Sequence, residues 1–407
     1  MVDKKQKISG LIGAVALCGT VWAEPISYKS GTYEVDGSTF GQEVTEVVFS
    51  QSDGTCKVTF GPGTYGPKFK VGHETGWDAA KQAFATFSGG SLVFTKRFTV
   101  FDTCWDLPLD IDTGTSVVFE GGVSNGYSWD WFVFFRFYGG KGSVTIRNTP
   151  LDVSSKRGLL LYSWGSATMT LDVANNKINN ILQLTGPVTL KTTCDWALST
   201  NTYATALAFV KEDGMDGAVL DLCGHDQAVG RLDTKGMHSA SGTPSSTGKI
   251  RSDSPATLHV RQAGGDAVTT FPLPFEGGAG LCKSGADELV LAGVSTTTGR
   301  LEVAEGVRSF SGSGCWNMAR EIAVSGGTLK VDDNQRLAGR LATITYSGGE
   351  LNLAQGVVVR VREFIVDDGV GSHTLAADTY TAADLPGILG GAGELQVVGG
   401  GMILNIR

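Results

Sequence analysis

Charge is scarce in this chain of 407 residues: Asp, Glu, Lys and Arg together make up 18%, and histidine occurs five times. The balance is acidic, 41 against 33, for a formal charge of −8. A surface of that sign repels phosphate backbones and anionic lipid, so nucleic acid is not an expected partner. Long apolar runs are missing beyond the N-terminus, and no later segment offers the roughly 18–20 apolar residues of a membrane-spanning helix. A sustained 3.6-residue apolar period is missing too, so no long helix is expected. CxxC and Cys/His spacings are absent, and with them any expectation of a structural metal; no cofactor is expected either.

Glycine is what the chain has in excess, at 57 of 407 residues, about 14% against roughly 7% in average usage. Paired with a hydrophobic share of 41%, that glycine points to many tight turns between short strands and not to disorder. SLVF, SVVF, SVTI, MTLDV, VTLKT, AVLDL, TLHV, ELVLA, RLEV, TLKV, TITY, ELNL and ELQVV are alternating or β-branched runs bounded by Gly, Asp, Asn or Ser. One local exception is GWDAAKQAFATF, where Trp77, Ala80, Phe84 and Phe87 fall at helical spacing, although its last residues also fit a strand.

The N-terminus reads MVDKKQKISGLIGAVALCGTVWAEP. Lys4, Lys5 and Lys7 form a basic segment, Ile8 to Val21 an apolar run, and Val21-Trp22-Ala23 a small-residue cleavage site before Glu24, the layout of a signal peptide. Leu17 is bulky where lipoprotein processing at Cys18 would want a small residue. Export with loss of residues 1–23 is therefore expected, to the extracellular space, cell surface or periplasm. Removing three lysines and one aspartate takes the charge from −8 to −10.

Internal repeats organise the remainder. Ile322-Ala-Val-Ser-Gly-Gly-Thr-Leu-Lys-Val331 and Ile344-Thr-Tyr-Ser-Gly-Gly-Glu-Leu-Asn-Leu353 match position for position, 22 residues apart, and Ala85-Thr-Phe-Ser-Gly-Gly-Ser-Leu-Val-Phe94 is a third copy. Leucines 301, 329, 351, 375 and 395 recur every 20 to 28 residues. A coil of that length cannot bury its apolar side chains alone, whereas stacked coils build one continuous core. The expected fold is all-β, a right-handed parallel β-helix with coils of about 20–28 residues; antiparallel sheets in two β-sandwich domains are the alternative. The expected organisation is residues 24–150 as an N-terminal β region holding a cap and the first coils, and residues 151–407 as the repeat-bearing β-helix.

Gly277 to Gly306, GGAGLCKSGADELVLAGVSTTTGRLEVAEG, resembles the autotransporter-associated β-strand repeat, with Gly280, Lys283, Gly285, Leu289, Leu291, Gly293, Leu301 and Val303 at the matching positions. Upstream, Ala218 to Gln227, AVLDLCGHDQ, is similar to a companion segment of the same surface proteins. Asp287 replaces the second glycine of the usual pattern, and the family's C-terminal translocator barrel has no counterpart after the repeats. The resemblance implies a secreted or surface-displayed β-helix, structural or adhesin-like and not an enzyme. Within the repeat, Leu289 and Leu291 are expected to point inward and Lys283, Asp287 and Glu288 to face water.

Cys56, Cys104, Cys194, Cys223, Cys282 and Cys315 are an even set in an exported chain and allow 15 full pairings; Cys223 and Cys282 also suit coil positions packed without a bond. Catalytic patterns are weak. Gly122-Val-Ser-Asn-Gly126 lacks the helix a nucleophile elbow needs, and Gly61-Pro-Gly-Thr-Tyr-Gly66 lacks a helix N-terminus for a pyrophosphate. His225-Asp226 reads as a corner. Asp106, Asp110 and Asp112 lack a closing bidentate glutamate for calcium. Asp332-Asp333 and Asp367-Asp368 read as turn acids. The aromatic run Tyr127 to Tyr138 reads as a strand buried on both sides, or as a sugar-stacking platform built on Trp129, Trp131 and Tyr138, with Asp130 or Arg136 binding hydroxyls. Glycans or other surface proteins are thus the expected partners, and a polysaccharide-binding or polysaccharide-degrading β-helix is the second function class.

Overall fold

The computed structural model describes residues 6–7, 25–50, 55–72, 83–101, 108–125, 132–153, 158–198, 205–211, 215–233, 243–245, 247–264, 266–316, 318–337 and 342–399. Short strands stack as parallel coils into a β-solenoid of about 11 turns. The chain divides into two units, residues 1–201 with 210–218, and residues 202–209 with 219–407.

In the first unit each coil from Cys56 to Ile178 contributes one strand to each of three parallel sheets. Ser91–Phe94, Phe98–Phe101 and Pro108–Ile111 are three consecutive strands on three different sheets. Each aligns with its counterpart one coil on: Val117 pairs with Val144, 27 positions later, and Val144 with Met169, 25 later. Alternation decides which side chains enter the coil. In Val188–Thr192 the first, third and fifth residues are buried, while Thr189 and Lys191 lie outward. Stacking identical positions in register brings like residues together, so the core fills with aromatic ladders. Tyr65 stacks on Phe94 with ring centres 4.7 Å apart, Phe94 on Phe119 at 5.2 Å, and Phe60 on Phe87 at 5.4 Å. Outward rows carry cross-coil ion pairs, Lys70 with Glu46 at 3.0 Å and Arg147 with Glu120 at 2.6 Å.

Corners need a left-handed residue or a polar staple. Asn148, Asn175 and Asn180 take φ values of 64°, 64° and 65°, a conformation asparagine tolerates better than most residues. Asn176 staples three successive corners from the inside. Its Oδ1 accepts from Leu151 N at 2.7 Å, and its Nδ2 donates to Val173 O at 2.6 Å and Ala197 O at 2.8 Å.

The second unit also stacks in parallel, with a shorter repeat. Leu281, Leu301, Ile322, Ile344 and Phe364 form one ladder. Leu289, Arg308, Leu329, Leu351 and Leu389 form another. The leucine period of the sequence therefore mixes rows: Leu301 belongs to the first ladder, Leu329 and Leu351 to the second, and Leu395 pairs with Val359 on a third. Leu375 lies between strands, half-buried. Among the described pairings, the antiparallel ones lie at the C-terminal end, where Ser372–Thr374 returns on Val358–Asp367 and Asp378–Tyr380 on Glu394–Val397. Elsewhere the described pairings are parallel, which removes the β-sandwich alternative.

Two local readings change. Within GWDAAKQAFATF, Ala83–Phe87 is a strand that pairs with both neighbouring coils, and residues 73–82 lie outside the described set. Strand register therefore overrides the helical spacing of Phe84 and Phe87. Lys283 does not face water: it is fully buried. Its Nζ donates to the carbonyls of Gly285 and, at 2.8 Å, Glu305, while the Glu305 carboxylate accepts from Gly285 N at 3.0 Å. The lysine is a bolt between one coil and the next. Asp287 and Glu288 are half-buried, and Glu288 accepts from Ser309 Oγ on the following coil.

Candidate functional site

The residues with catalytic patterns sit at corners or within strands and are occupied there. Asp332 binds Arg336 Nε at 2.8 Å, Asp333 accepts from Gln335 N, Asp367 from Gly369 N, and Asp368 from Val370 N and Gly371 N. Asp226 accepts from Thr257 N at 2.7 Å. Ser124, the serine of the G-x-S-x-G pattern, stands in the strand Val123–Asn125 with its Oγ 3.2 Å from Thr99 Oγ1. Gly63–Tyr65 of the G-x-G-x-x-G pattern is a strand paired with Ser91–Phe94. Asp110 holds Arg136 with two contacts, 2.7 Å to Nε and 2.9 Å to Nη2. Burial pushes the Asp110 carboxyl up, against the pull of Arg136; Asp106 lies outside the described residues.

Cys56, Cys282 and Cys315 are free thiols, and Cys194 and Cys223 are half-buried at their coil positions. Burial pushes the Cys56 thiol up to about 12 and, with Glu302 adding to it, the Cys282 thiol up to about 11. Both are held as unreactive thiols.

Of the sugar-stacking residues, Trp129 and Trp131 lie outside the described set. Tyr138 follows the strand Phe132–Phe137, in which Val133, Phe135 and Phe137 are buried and Phe134 and Arg136 point outward. One coil on, Trp164 stacks on Tyr138 with ring centres 4.9 Å apart and planes at 8°. Arg136 covers the Tyr138 ring at 4.9 Å, and Tyr162 meets Trp164 edge-on at 4.7 Å. Tyr138 is 37% and Trp164 44% exposed, yet their faces are largely taken by each other and by Arg136 and Tyr162. The outward part of this run is a cross-coil ladder that offers a ligand mostly ring edges.

Sequence reading missed a groove of about 720 Å³ on the outward side of the first ladder of the second unit, lined by Arg300, Arg320, Glu321, Ala323, Thr343, Thr345, Arg362, Glu363 and Ile365 among others. Register builds it. Glu321, Thr343 and Glu363 are aligned on three successive coils, as are Ala323, Thr345 and Ile365. The second row is uncharged, and longer charged side chains wall the groove beside it. Arg300 pairs with Glu302 at 3.1 Å, and Arg362 donates to Thr343 Oγ1 at 2.8 Å. The wall therefore mixes fixed donors with fixed acceptors along the stacking direction. Glu321 and Glu363 stand two strand spacings apart, roughly 9–10 Å along the backbone, with Thr343 between them. Arg300 and Arg320 each precede a strand start, and Arg362 is the residue at which the register of Val358–Asp367 shifts, so their convergence becomes visible only once the coils are aligned.

Among the described residues no group of three or more His, Cys, Asp and Glu forms a metal-ligand cluster, and no helix is long and apolar enough to cross a membrane. No protein-family model, curated protein or solved structure matches this chain.

Proposed function

We propose that this chain is an exported β-solenoid of the autotransporter-associated repeat type, structural or adhesin-like and not catalytic, which binds a polar chain ligand such as a glycan along its lateral surface. The groove of the second unit carries this reading. Its guanidinium, carboxylate and hydroxyl groups are supplied coil by coil along one direction, which suits a repeating ligand laid across several coils. A glycan offers hydroxyls to both the arginine donors and the glutamate acceptors. Of the two wall carboxylates, that of Glu363 is engaged by Thr343 Oγ1 at 3.4 Å and by Arg362 at 3.9 Å, which favours binding over bond cleavage.

The test is a glycan array probed with the purified chain and with an Arg300→Ala, Arg320→Ala, Arg362→Ala triple variant. Binding by the wild type with at least a tenfold loss in the variant is expected. Depolymerisation of any bound polysaccharide would instead establish the degrading enzyme, the second function class above. Export is tested separately: mass spectrometry of the secreted protein is expected to find Glu24 at the N-terminus.

A further inference from the structure

Arg308 lies in Val307–Phe310, a strand whose alternation turns Val307 and Ser309 outward and Arg308 and Phe310 into the core. In its ladder it stands between Leu289 and Leu329. The residue is 0% exposed, and Nε, Nη1 and Nη2 find no hydrogen-bond partner among the described residues. Aromatic rings cover the guanidinium face, with Phe310 at 4.0 Å and Trp316 at 5.6 Å from its central carbon. Cation–π attraction offsets part of the cost of burying the charge, but it leaves the in-plane N–H donors unused.

The surroundings add positive charge. Arg336 is 6.0 Å from the same Phe310 ring. It spends its own donors on Asp332, at 2.8 Å from Nε, and on the carbonyls of Gly312 and Gly314, at 2.8 and 2.7 Å from Nη1. Two guanidinium groups thus share one ring with one directly bonded carboxylate. Burial disfavours the charged form of Arg308, and among the described residues no acidic side chain bonds to its nitrogens. A buried guanidinium keeps its proton and, left unpaired, costs several kcal/mol.

We propose that Arg308 is an internal halide site, at which a chloride lies in the guanidinium plane within the coil stack. Chloride carries one charge, matching the single uncompensated cation, and it accepts N–H donors without bringing oxygens that need donors of their own. Sulfate or phosphate would bring two charges and several acceptors against one free guanidinium. The site serves stability and requires no particular reading of the lateral groove.

The test measures the thermal unfolding midpoint of the full chain at fixed ionic strength while sodium gluconate is replaced by sodium chloride or bromide. An anion bound by the folded state alone raises the midpoint with the logarithm of its concentration. The wild type and Arg97→Leu, which removes an exposed arginine of the first unit, are expected to show this rise, and Arg308→Leu to lose it. In gluconate, Arg308→Leu is expected to melt above the wild type. Wild-type crystals soaked in bromide are expected to show an anomalous peak within about 3.5 Å of the guanidinium nitrogens. A midpoint indifferent to halide, a halide response retained in Arg308→Leu, or ordered water at the guanidinium edge would each overturn the proposal. Should Arg308→Leu fail to fold, the wild-type bromide map decides alone.

Discussion

Lys283 and Arg308 are both cations closed off from solvent, and the chain handles them differently. Lys283 is met by two carbonyls, whereas Arg308 meets rings. Burial nevertheless pulls the Lys283 ammonium down to about 8, with Glu305, Asp287 and Glu288 opposing. In the unfolded chain a lysine titrates near 10.4. Below pH 8 both states hold the proton, and this residue makes stability neither rise nor fall. Between about pH 8 and 10 the unfolded state binds more protons, so the Lys283 contribution to stability rises with pH. Urea unfolding at pH 7.5, 8.5 and 9.5 is expected to show this increment as the difference between wild type and Lys283→Met. Parallel pH profiles for the two proteins would remove the assignment.

At the scale of the element, corners hold the coils together and set where side chains are allowed. Asn176 satisfies one amide and two carbonyls on three successive corners. Asn176→Ala leaves those buried groups unpaired, and a loss of about 2–4 kcal/mol is expected from chemical denaturation. Gly349 and Gly356 make a matched pair. Their φ values are +84° and +80°, but a Cβ on Gly349 would be driven into the Gly327 carbonyl, while one on Gly356 meets open space. Gly356→Ala is expected to cost about 1 kcal/mol, for the left-handed conformation alone. Gly349→Ala should cost clearly more, and equal losses would show that the coil spacing yields easily. The turn at Gly349 was legible as an S-G-G repeat, because paired glycines returning at a fixed offset between apolar runs mark a chain that turns at the same place on successive coils. Lys283 was not, because a lysine bounded by Ser284 and Gly285 reads as a solvated turn until the neighbouring coil supplies its carbonyls. Arg308 was half-legible. The alternation of Val-Arg-Ser-Phe already puts it on the face of Phe310, but an arginine in a strand ordinarily points outward.

At the scale of the whole chain, the period of the repeats carried the fold, and the same period hid the site. Offsets near 22 residues pointed to stacked coils without any need for register. The groove depends on register itself, since Arg300, Arg320 and Arg362 meet only when Leu301, Ile322, Ile344 and Phe364 are aligned. Tyr138 and Trp164 likewise meet because one coil separates them. A stacked architecture also sets how damage spreads, because each coil touches its neighbours and few others. Phe94 offers the sharpest probe. Its ring is within 5.6 Å, centre to centre, of Phe60, Tyr65, Phe69, Phe87, Phe98 and Phe119, which lie on its own coil and those adjoining it. Phe94→Ala removes the centre of that cluster and is expected to cost about 3–5 kcal/mol. Hydrogen exchange should report the loss as faster amide exchange in strands Cys56–Phe60, Lys68–Gly72 and Ser116–Phe119. Exchange in Glu321–Val331 and Ala342–Leu353 should hold at wild-type rates. Uniform acceleration across both units would mean that the coils unfold as one cooperative body and not as a chain of neighbours.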